Sequence, residues 1–275
     1  LTDKVVVVTG AGSGIGRALA VEVAGRGSLV AVSDVDEAGL AETVELVKAA
    51  GSPLVHSARL DVADREAFAS YARAVREHFG RVNVVVNNAG VTMTGDFLDT
   101  TVEEFDWIMS INLDGVITGT REFLGDLIAS GDGHLVNISS LFGLISVPGQ
   151  SGYNASKYAV RGFTEAIREE MLVAGAPVGV SCVHPGGIRT GISRNGRKTL
   201  GSDAAAIDRL FEEKLAKMEP ARAAQIIVRG ILRDKARVLV GIDAHLIHHA
   251  AKTVGSRYQD VTARLTKRMM PARRV

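Results

Sequence analysis

Residues 5–16 read VVVVTGAGSGIG: four consecutive valines, a glycine-rich turn, then the start of a helical pattern. An unbroken β-branched run suits a strand buried on both faces of a parallel sheet. The glycines at 10, 14 and 16 are spaced GxxxGxG. Such glycines let the backbone turn sharply and approach a pyrophosphate, whose charge is favoured by the N-terminus of the following helix. A phosphate P-loop is excluded, because it needs Gly-Lys-Ser/Thr at the helix start and this chain has Gly-Ile-Gly. A tight strand-to-helix turn without a ligand is the alternative, and the position between a first strand and a helix favours nucleotide binding over it.

Outward from this stretch, strand-like runs recur at 28–34, 54–62, 82–88, 134–139, 178–184 and 236–240, each followed or preceded by helical stretches. Asp36 is placed to cap a helix carrying Leu40, Val44 and Val47 that stops at Gly51. Asp64 starts another, carrying Phe68, Tyr71 and Val75, which Gly80 closes. Repeated strand–helix units with right-handed crossovers predict an α/β, doubly wound Rossmann fold: a seven-stranded parallel sheet with helices on both faces. The expected organisation is one Rossmann domain over residues 1–241, with a loop-and-helix segment at 191–220, and a basic amphipathic C-terminal extension over 242–275.

Composition narrows the function classes. At 275 residues, with 46% hydrophobic and 23% charged residues, the chain suits a globular protein with a substantial core. A single cysteine, Cys182, rules out an intramolecular disulfide and any Cys-rich zinc site, which points to reducing surroundings and a cytoplasmic location. No apolar run approaches the roughly 20 residues that span a bilayer. The opening LTDKVVVVTG enters a strand at once, so no signal peptide is expected, and without an initiating Met some native residues are expected to be missing. A net charge of +1 gives no case for nucleic acid binding. The charge is uneven, however: from Lys252 onward seven basic residues oppose Asp260 alone, a balance of +6, which leaves −5 for residues 1–251.

Asp34 ends the second strand, where a carboxylate can accept hydrogen bonds from both adenosine ribose hydroxyls and would repel a 2′-phosphate. An N-cap or a solvated turn acid is the alternative. Arg17 weighs the other way, since a nearby guanidinium could accommodate a phosphate. The balance favours NAD over NADP.

Residues 153–157 read YNASK, in a chain with only four tyrosines. Positions i and i+4 share a helical face, so Tyr153 and Lys157 point into the same space. A phenol of ordinary pKa, roughly 10, is a poor proton donor or acceptor near neutrality, and a neighbouring ammonium pulls that value down. Alone, the pair reads as two surface side chains.

Taken in order, TGxxxGIG (9–16), NNAG (87–90), Asn112 in INLDG, ISS (138–140), YNASK (153–157) and PGGIRT (185–190) resemble the short-chain dehydrogenase/reductase family, across roughly residues 3–241. The resemblance implies that Tyr153 donates a proton to a carbonyl oxygen or removes one from an alcohol, that Lys157 lowers its pKa and holds the nicotinamide ribose, and that Ser140 hydrogen-bonds the substrate oxygen. Ser140 is preferred to Ser139 because the family's serine lies thirteen residues before its tyrosine. Asn112 would hold a water linking Lys157 to solvent. The resemblance further implies cofactor contacts at Gly10, Ser13, Gly14, Ile15 and Gly16 in the first turn, and at Asp34. Asp61 and Val62 would meet the adenine, and Asn88, Ala89 and Gly90 the adenosine ribose and strand-four turn. Tyr153, Lys157, Pro185, Gly186, Ile188 and Thr190 would surround the nicotinamide. Singly, Ser140 reads as a helix cap, Asn112 as a helix-kink residue, and Pro185–Gly186 as a plain turn.

Two function classes follow: an NAD-dependent alcohol dehydrogenase or carbonyl reductase, and a nucleotide-sensing scaffold that keeps the pocket without turnover. The four catalytic positions together favour the enzyme, because binding alone does not need a tuned phenol. Phe142, Leu144, Ile145 and Val147 beyond Ser140 suggest a hydrophobic alcohol or ketone. A helix from about Asp203, with Ile207, Leu210, Phe211, Leu215 and Met218 on one face, reads equally as core and as substrate wall. No metal is expected; His245, His248 and His249 lack further ligands and read as helix surface. Cys182 and the Phe105, Trp107 and Ile108 group read as packing residues, the latter also as a possible subunit contact. In the tail, Val254, Tyr258, Val261, Leu265 and Met269 form an amphipathic stripe. The stripe fits a helix docked on its own chain or a partner subunit, a membrane-surface helix, or a loose tail, the first being expected. A homodimer or homotetramer is the default assembly.

Overall fold

A computed structural model describes residues 1–199 and 216–269. Strands β1 (Val5–Thr9), β2 (Leu29–Asp34), β3 (Val55–Arg59), β4 (Val84–Asn87), β6 (Gly133–Ile138), β7 (Val178–Pro185) and β9 (Arg237–Val240) pair in the order β3-β2-β1-β4-β6-β7-β9, parallel throughout. The valine run explains itself here. Val6 and Val8 enter one core with Leu19 and Val23 of α1 (Gly14–Ala24) and Ile227 of α7 (Pro220–Ile231). Val5 and Val7 enter the other, with Phe68 of α3 (Arg65–Phe79) and Phe123 of α5 (Gly115–Ala129). Alternate residues of one strand thus fill two cores, as a sheet covered on both faces demands.

The capping predictions match the local geometry. The Asp36 carboxylate accepts from Gly39 N at 3.1 Å and opens α2 (Glu37–Ala49). Asp64 accepts from Ala67 N at 2.9 Å to open α3, and Gly80 ends it at φ +72°. Before Asn112 the chain does not run as one α-helix: α4 (Val102–Met109) passes through a π-type turn at Ser110–Asp114 into α5. Two further strands of two residues each, β5 (Met93–Thr94) and β8 (Arg197–Lys198), pair with each other beside the sheet. They fix the loop after PGGIRT against the segment after NNAG.

Strand order reverses between β1 and β4, and the crevice at their C-terminal ends is where doubly wound sheets bind ligands. The long helix α6 (Ser151–Val173) carries YNASK towards that crevice. Beyond β9 follow α8 (Ile242–Val254) and α9 (Tyr258–Met269). The tail stripe is less buried than a docked helix predicts: Val254, Val261 and Leu265 are each about half exposed, and only the Tyr258 region is held closely, in contact with Leu141 and Ile145. The predicted helix from Asp203, with Ile207, Leu210, Phe211 and Leu215, lies outside the described residues. No helix among the described residues is long and apolar enough to cross a membrane, and they hold no group of three or more His, Cys, Asp or Glu able to bind a metal.

Candidate active site

The glycine loop is built by close approach. Gly10 has φ +65°, and a Cβ there would lie 2.6 Å from Ala89 Cα. A side chain at Gly16 would run into Gly10 O and Asn88 Nδ2. Thr9 Oγ1 accepts from Asn88 N and Ala89 N, both at 3.1 Å. The Asn88 amide donates to Thr9 O at 2.9 Å and Gly10 O at 3.0 Å. The first turn and the strand-four turn are therefore one unit, with Asn88 spent on internal bonds and the backbone left to meet a ligand.

At the far end, Asp34 accepts from Gly12 N at 2.7 Å through one oxygen and from Asp36 N at 3.0 Å through the other. Arg17 turns away from this carboxylate. It donates to Thr43 Oγ1 at 3.0 Å, to Gly39 O at 3.1 Å and to Gly12 O, and pairs with Glu42 at 2.8 Å. A guanidinium so committed is a poor candidate for a phosphate.

The chemistry-bearing residues meet beside β6. Ser139 and Ser140 both border the cavity and are sorted by their hydroxyl bonds: Ser139 Oγ donates to Lys157 O at 2.8 Å, whereas Ser140 Oγ accepts from Phe142 N at 3.1 Å. Tyr153 is 8% exposed, with the Phe142 ring edge-on at 6.1 Å between centroids. Burial pushes its phenol above the ordinary value, and the Ser140 hydroxyl opposes that shift. That direction is opposite to the lowering expected from Lys157, whose ammonium sits 5.7 Å from the ring centroid. Lys157, 3% exposed, donates to Ile138 O at 3.1 Å. Burial pulls its pKa down to about 8, with Cys182 opposing.

Asn112, fully buried on the π-type turn, accepts from Val91 N at 2.8 Å and donates to Val91 O at 2.9 Å and Ser156 Oγ at 3.1 Å. Both amide protons are used. Its Oδ1 faces Gly90, as does Lys157 Nζ: a Cβ on Gly90 would lie 3.1 and 3.3 Å from them.

One cavity of about 2070 Å³ collects these residues. Of those predicted from sequence, Gly10, Ser13, Gly14, Ile15, Asp34, Asp61, Val62, Asn88, Ala89, Gly90, Ser140, Tyr153, Lys157, Pro185, Gly186, Ile188 and Thr190 line it. Gly16 and Asn112 do not; they stand behind the wall, Gly16 allowing the turn and Asn112 clamping Val91. Phe142, Ile145 and Val147 line it too, while Leu144 points elsewhere.

Two residues not anticipated from sequence hold the site. Asp243, on α8, accepts from Gly187 N at 2.7 Å and so fixes the PGGIRT loop from the C-terminal extension. His184 Nδ1 donates to Ser140 O across 2.8 Å, and burial lowers its pKa to about 4, the Ser140 bond opposing. The sequence offered no signal for either, since each acts on a loop far away in the chain. Trp107 and Ile108 pack with Met93, Tyr153 and Phe142, and the Arg197 guanidinium lies 3.9 Å over the Trp107 ring.

A parallel sheet with a glycine turn at its switch point, and Ser, Tyr and Lys on the same cavity, is the arrangement of an oxidoreductase on a Rossmann fold. A family model described as short chain dehydrogenase matches residues 4–201. SadH of Mycobacterium tuberculosis, named as an oxidoreductase, is 50% identical over 268 residues, covering 98% of this chain and 97% of that protein. Epidermal retinol dehydrogenase 2 of Homo sapiens is 34% identical, covering 86% of this chain and 73% of that protein. A short-chain dehydrogenase/reductase from Burkholderia phymatum, solved in complex with NAD, superposes with a TM-score of 0.84 at 31% identity, covering 96% of this chain and 95% of that one. The chain belongs to the short-chain dehydrogenase/reductase family.

Proposed function

We propose that the chain interconverts a hydrophobic secondary alcohol and a ketone with NAD as cofactor, Tyr153 acting as acid/base. The observation that carries this reading is the convergence of the Ser140 hydroxyl, the Tyr153 phenol and the Lys157 ammonium on the cavity that also holds the glycine turn. The residues suit a dinucleotide: Gly10 and Gly16 pack too closely on Ala89, Asn88 and the Gly10 carbonyl to carry a side chain, which leaves the backbone of the turn to face a ligand, and the helix N-terminus at Ser13–Ile15 favours a pyrophosphate. When bound, NAD would supply or accept the hydride.

The chain's own part is proton and charge management. Ser140 donates a hydrogen bond to the substrate oxygen, and Tyr153 delivers or withdraws its proton. Lys157 holds a ribose hydroxyl, and its positive charge stabilises the phenolate as that forms. Asn112 supports this group from behind through Val91 and Ser156, with the remaining lone pair of Oδ1 able to receive a water near Lys157. Asp61 and Val62 border the adenine end, Asn88, Ala89 and Gly90 the adenosine ribose, and Pro185, Gly186, Ile188 and Thr190 the nicotinamide. Asp34, with its carboxylate at the ribose end and Arg17 engaged elsewhere, supports NAD over NADP.

The apolar side chains of Phe142, Ile145 and Val147 on the cavity wall support a hydrophobic substrate, and the retinol named for the human relative is of that class. Residues 1–241 form the catalytic unit and 242–275 its extension in this reading. Exposed Ile117, Ile128, Leu172 and Val173 on α5 and α6 support assembly as a homodimer or homotetramer. A panel of hydrophobic alcohols and ketones, followed by nicotinamide absorbance with both cofactors, tests the function. Turnover with NAD is expected; cofactor binding with no turnover of any member would indicate a scaffold.

A further inference from the structure

Helix α9 contributes Thr262, Ala263, Leu265 and Thr266 to the wall of the cavity that holds Ser140 and Tyr153. Leu265 is 50% exposed, an apolar side chain half in water at a cavity whose wall also includes Phe142, Ile145 and Val147. The helix is pinned to the catalytic segment. The Tyr258 hydroxyl accepts from Ser146 N at 3.0 Å, and its side chain packs against the cluster of Leu141, Ile145 and Ala244. Gly255, at φ +64°, separates α8 from α9, a backbone conformation that glycine adopts without strain and that turns the chain back.

We propose that α9 is the outer wall of the substrate site, that Leu265 sets the length of apolar chain the site selects, and that Tyr258 is the positioning residue that pins this wall to the segment following Ser140. The proposal deepens the oxidoreductase reading and rests on it. The substrate class is an alcohol or ketone whose apolar chain runs from Tyr153 past Phe142, Ile145 and Val147 to Leu265. Only a chain long enough to reach Leu265 removes its exposed surface from water, so the gain falls on long substrates and not on short ones. This assigns a role to the part of the tail stripe that the fold leaves half exposed.

The test compares wild type with Leu265→Ala, Leu265→Phe and Tyr258→Phe, and with Arg264→Ala, an exposed α9 residue away from the cavity, as control. Two readouts are taken on a series of short- to long-chain methyl ketones. One is kcat and KM with NADH. The other is ketone binding to the NAD-loaded protein, followed by the fluorescence of Trp107, the one tryptophan of the chain, which packs in the cluster containing Tyr153. Leu265→Ala is expected to lower the long-to-short selectivity ratio about tenfold, and the larger Leu265→Phe to shift the preference to shorter chains. Tyr258→Phe should raise KM for long ketones while kcat stays within about twofold, and Arg264→Ala should leave the ratio as in wild type. Unchanged ratios in the Leu265 variants by both readouts would overturn the proposal, as would a change in subunit assembly without a change in selectivity. Leu265-dependent binding without turnover would leave the wall standing and sink the oxidoreductase reading. A wild type that neither binds nor turns over any ketone of the series overturns both.

Discussion

The Lys157 ammonium donates to the Ile138 carbonyl at 3.1 Å, tying the helix that carries Tyr153 to the strand end that leads into Ser140. A second bond runs back from Ser139 Oγ to Lys157 O at 2.8 Å. Two side-chain to main-chain bonds thereby fix the spacing of Tyr153 and Ser140, the proposed proton donor and substrate-oxygen partner.

Lys157 gives the site a pH dependence. Burial lowers its pKa to about 8, so its charge is present below that value and lost as pH rises through it. Holding a ribose hydroxyl favours the charged form, and NAD affinity should therefore weaken as pH rises past about 8. Calorimetric titration across this range should show the decline in wild type and its absence in Lys157→Ala, whose affinity is lower throughout. An affinity independent of pH in both proteins would remove Lys157 from the cofactor site.

In the proposed reading Asp34 decides cofactor choice, with Arg17 occupied by Glu42 and the backbone of the α2 turn. Asp34→Arg should shift the ratio of NAD to NADP affinity by about tenfold or more towards NADP, that is, by about 1.4 kcal/mol. Some stability should be lost as well, since Gly12 N and Asp36 N lose their acceptor. A wild type that already prefers NADP would show that a cation other than Arg17 receives the phosphate.

Acid should unfold the protein earlier than its surface carboxylates alone would cause. Burial holds His134 and His184 near pKa 4 against an ordinary 6.5, so the unfolded chain takes up protons first as pH falls. Their contribution is fully present above about pH 6.5 and lost towards pH 4, at up to about 1.4 kcal/mol per pH unit for each histidine. Urea midpoints measured at pH 7 and pH 5 should show the loss, and His134→Gln should flatten it. Equal midpoints in wild type at the two pH values would contradict this.

Most strands were legible because they are largely apolar runs bounded by glycine or aspartate, as at Val5–Thr9, whereas β3, which reads VHSAR at the sheet edge, has only Val55 and Ala58 as apolar residues. The site was legible to the extent that it sits in contiguous motifs: Tyr153 and Lys157 are one helical turn apart, and the glycines share one loop. Asp243 and His184 were not, since their partners lie 56 and 44 residues away and no local pattern connects them. The β5–β8 pair escaped for a different reason, as two-residue strands carry no periodicity. The Tyr153 shift also ran against expectation, because the degree of burial of a phenol cannot be read from the ammonium four residues on.

Tyr153 carries the central claim, and replacing it with phenylalanine removes the proton-bearing oxygen while leaving the ring to pack against Phe142. Turnover of the best alcohol or ketone by Tyr153→Phe, measured beside the dissociation constant for NAD, is the most direct test. The expected result is a loss of kcat by about 10²–10⁴-fold or more with NAD affinity within a few fold of wild type. A Phe variant that retains most of its activity would contradict the assignment of Tyr153 as the acid/base.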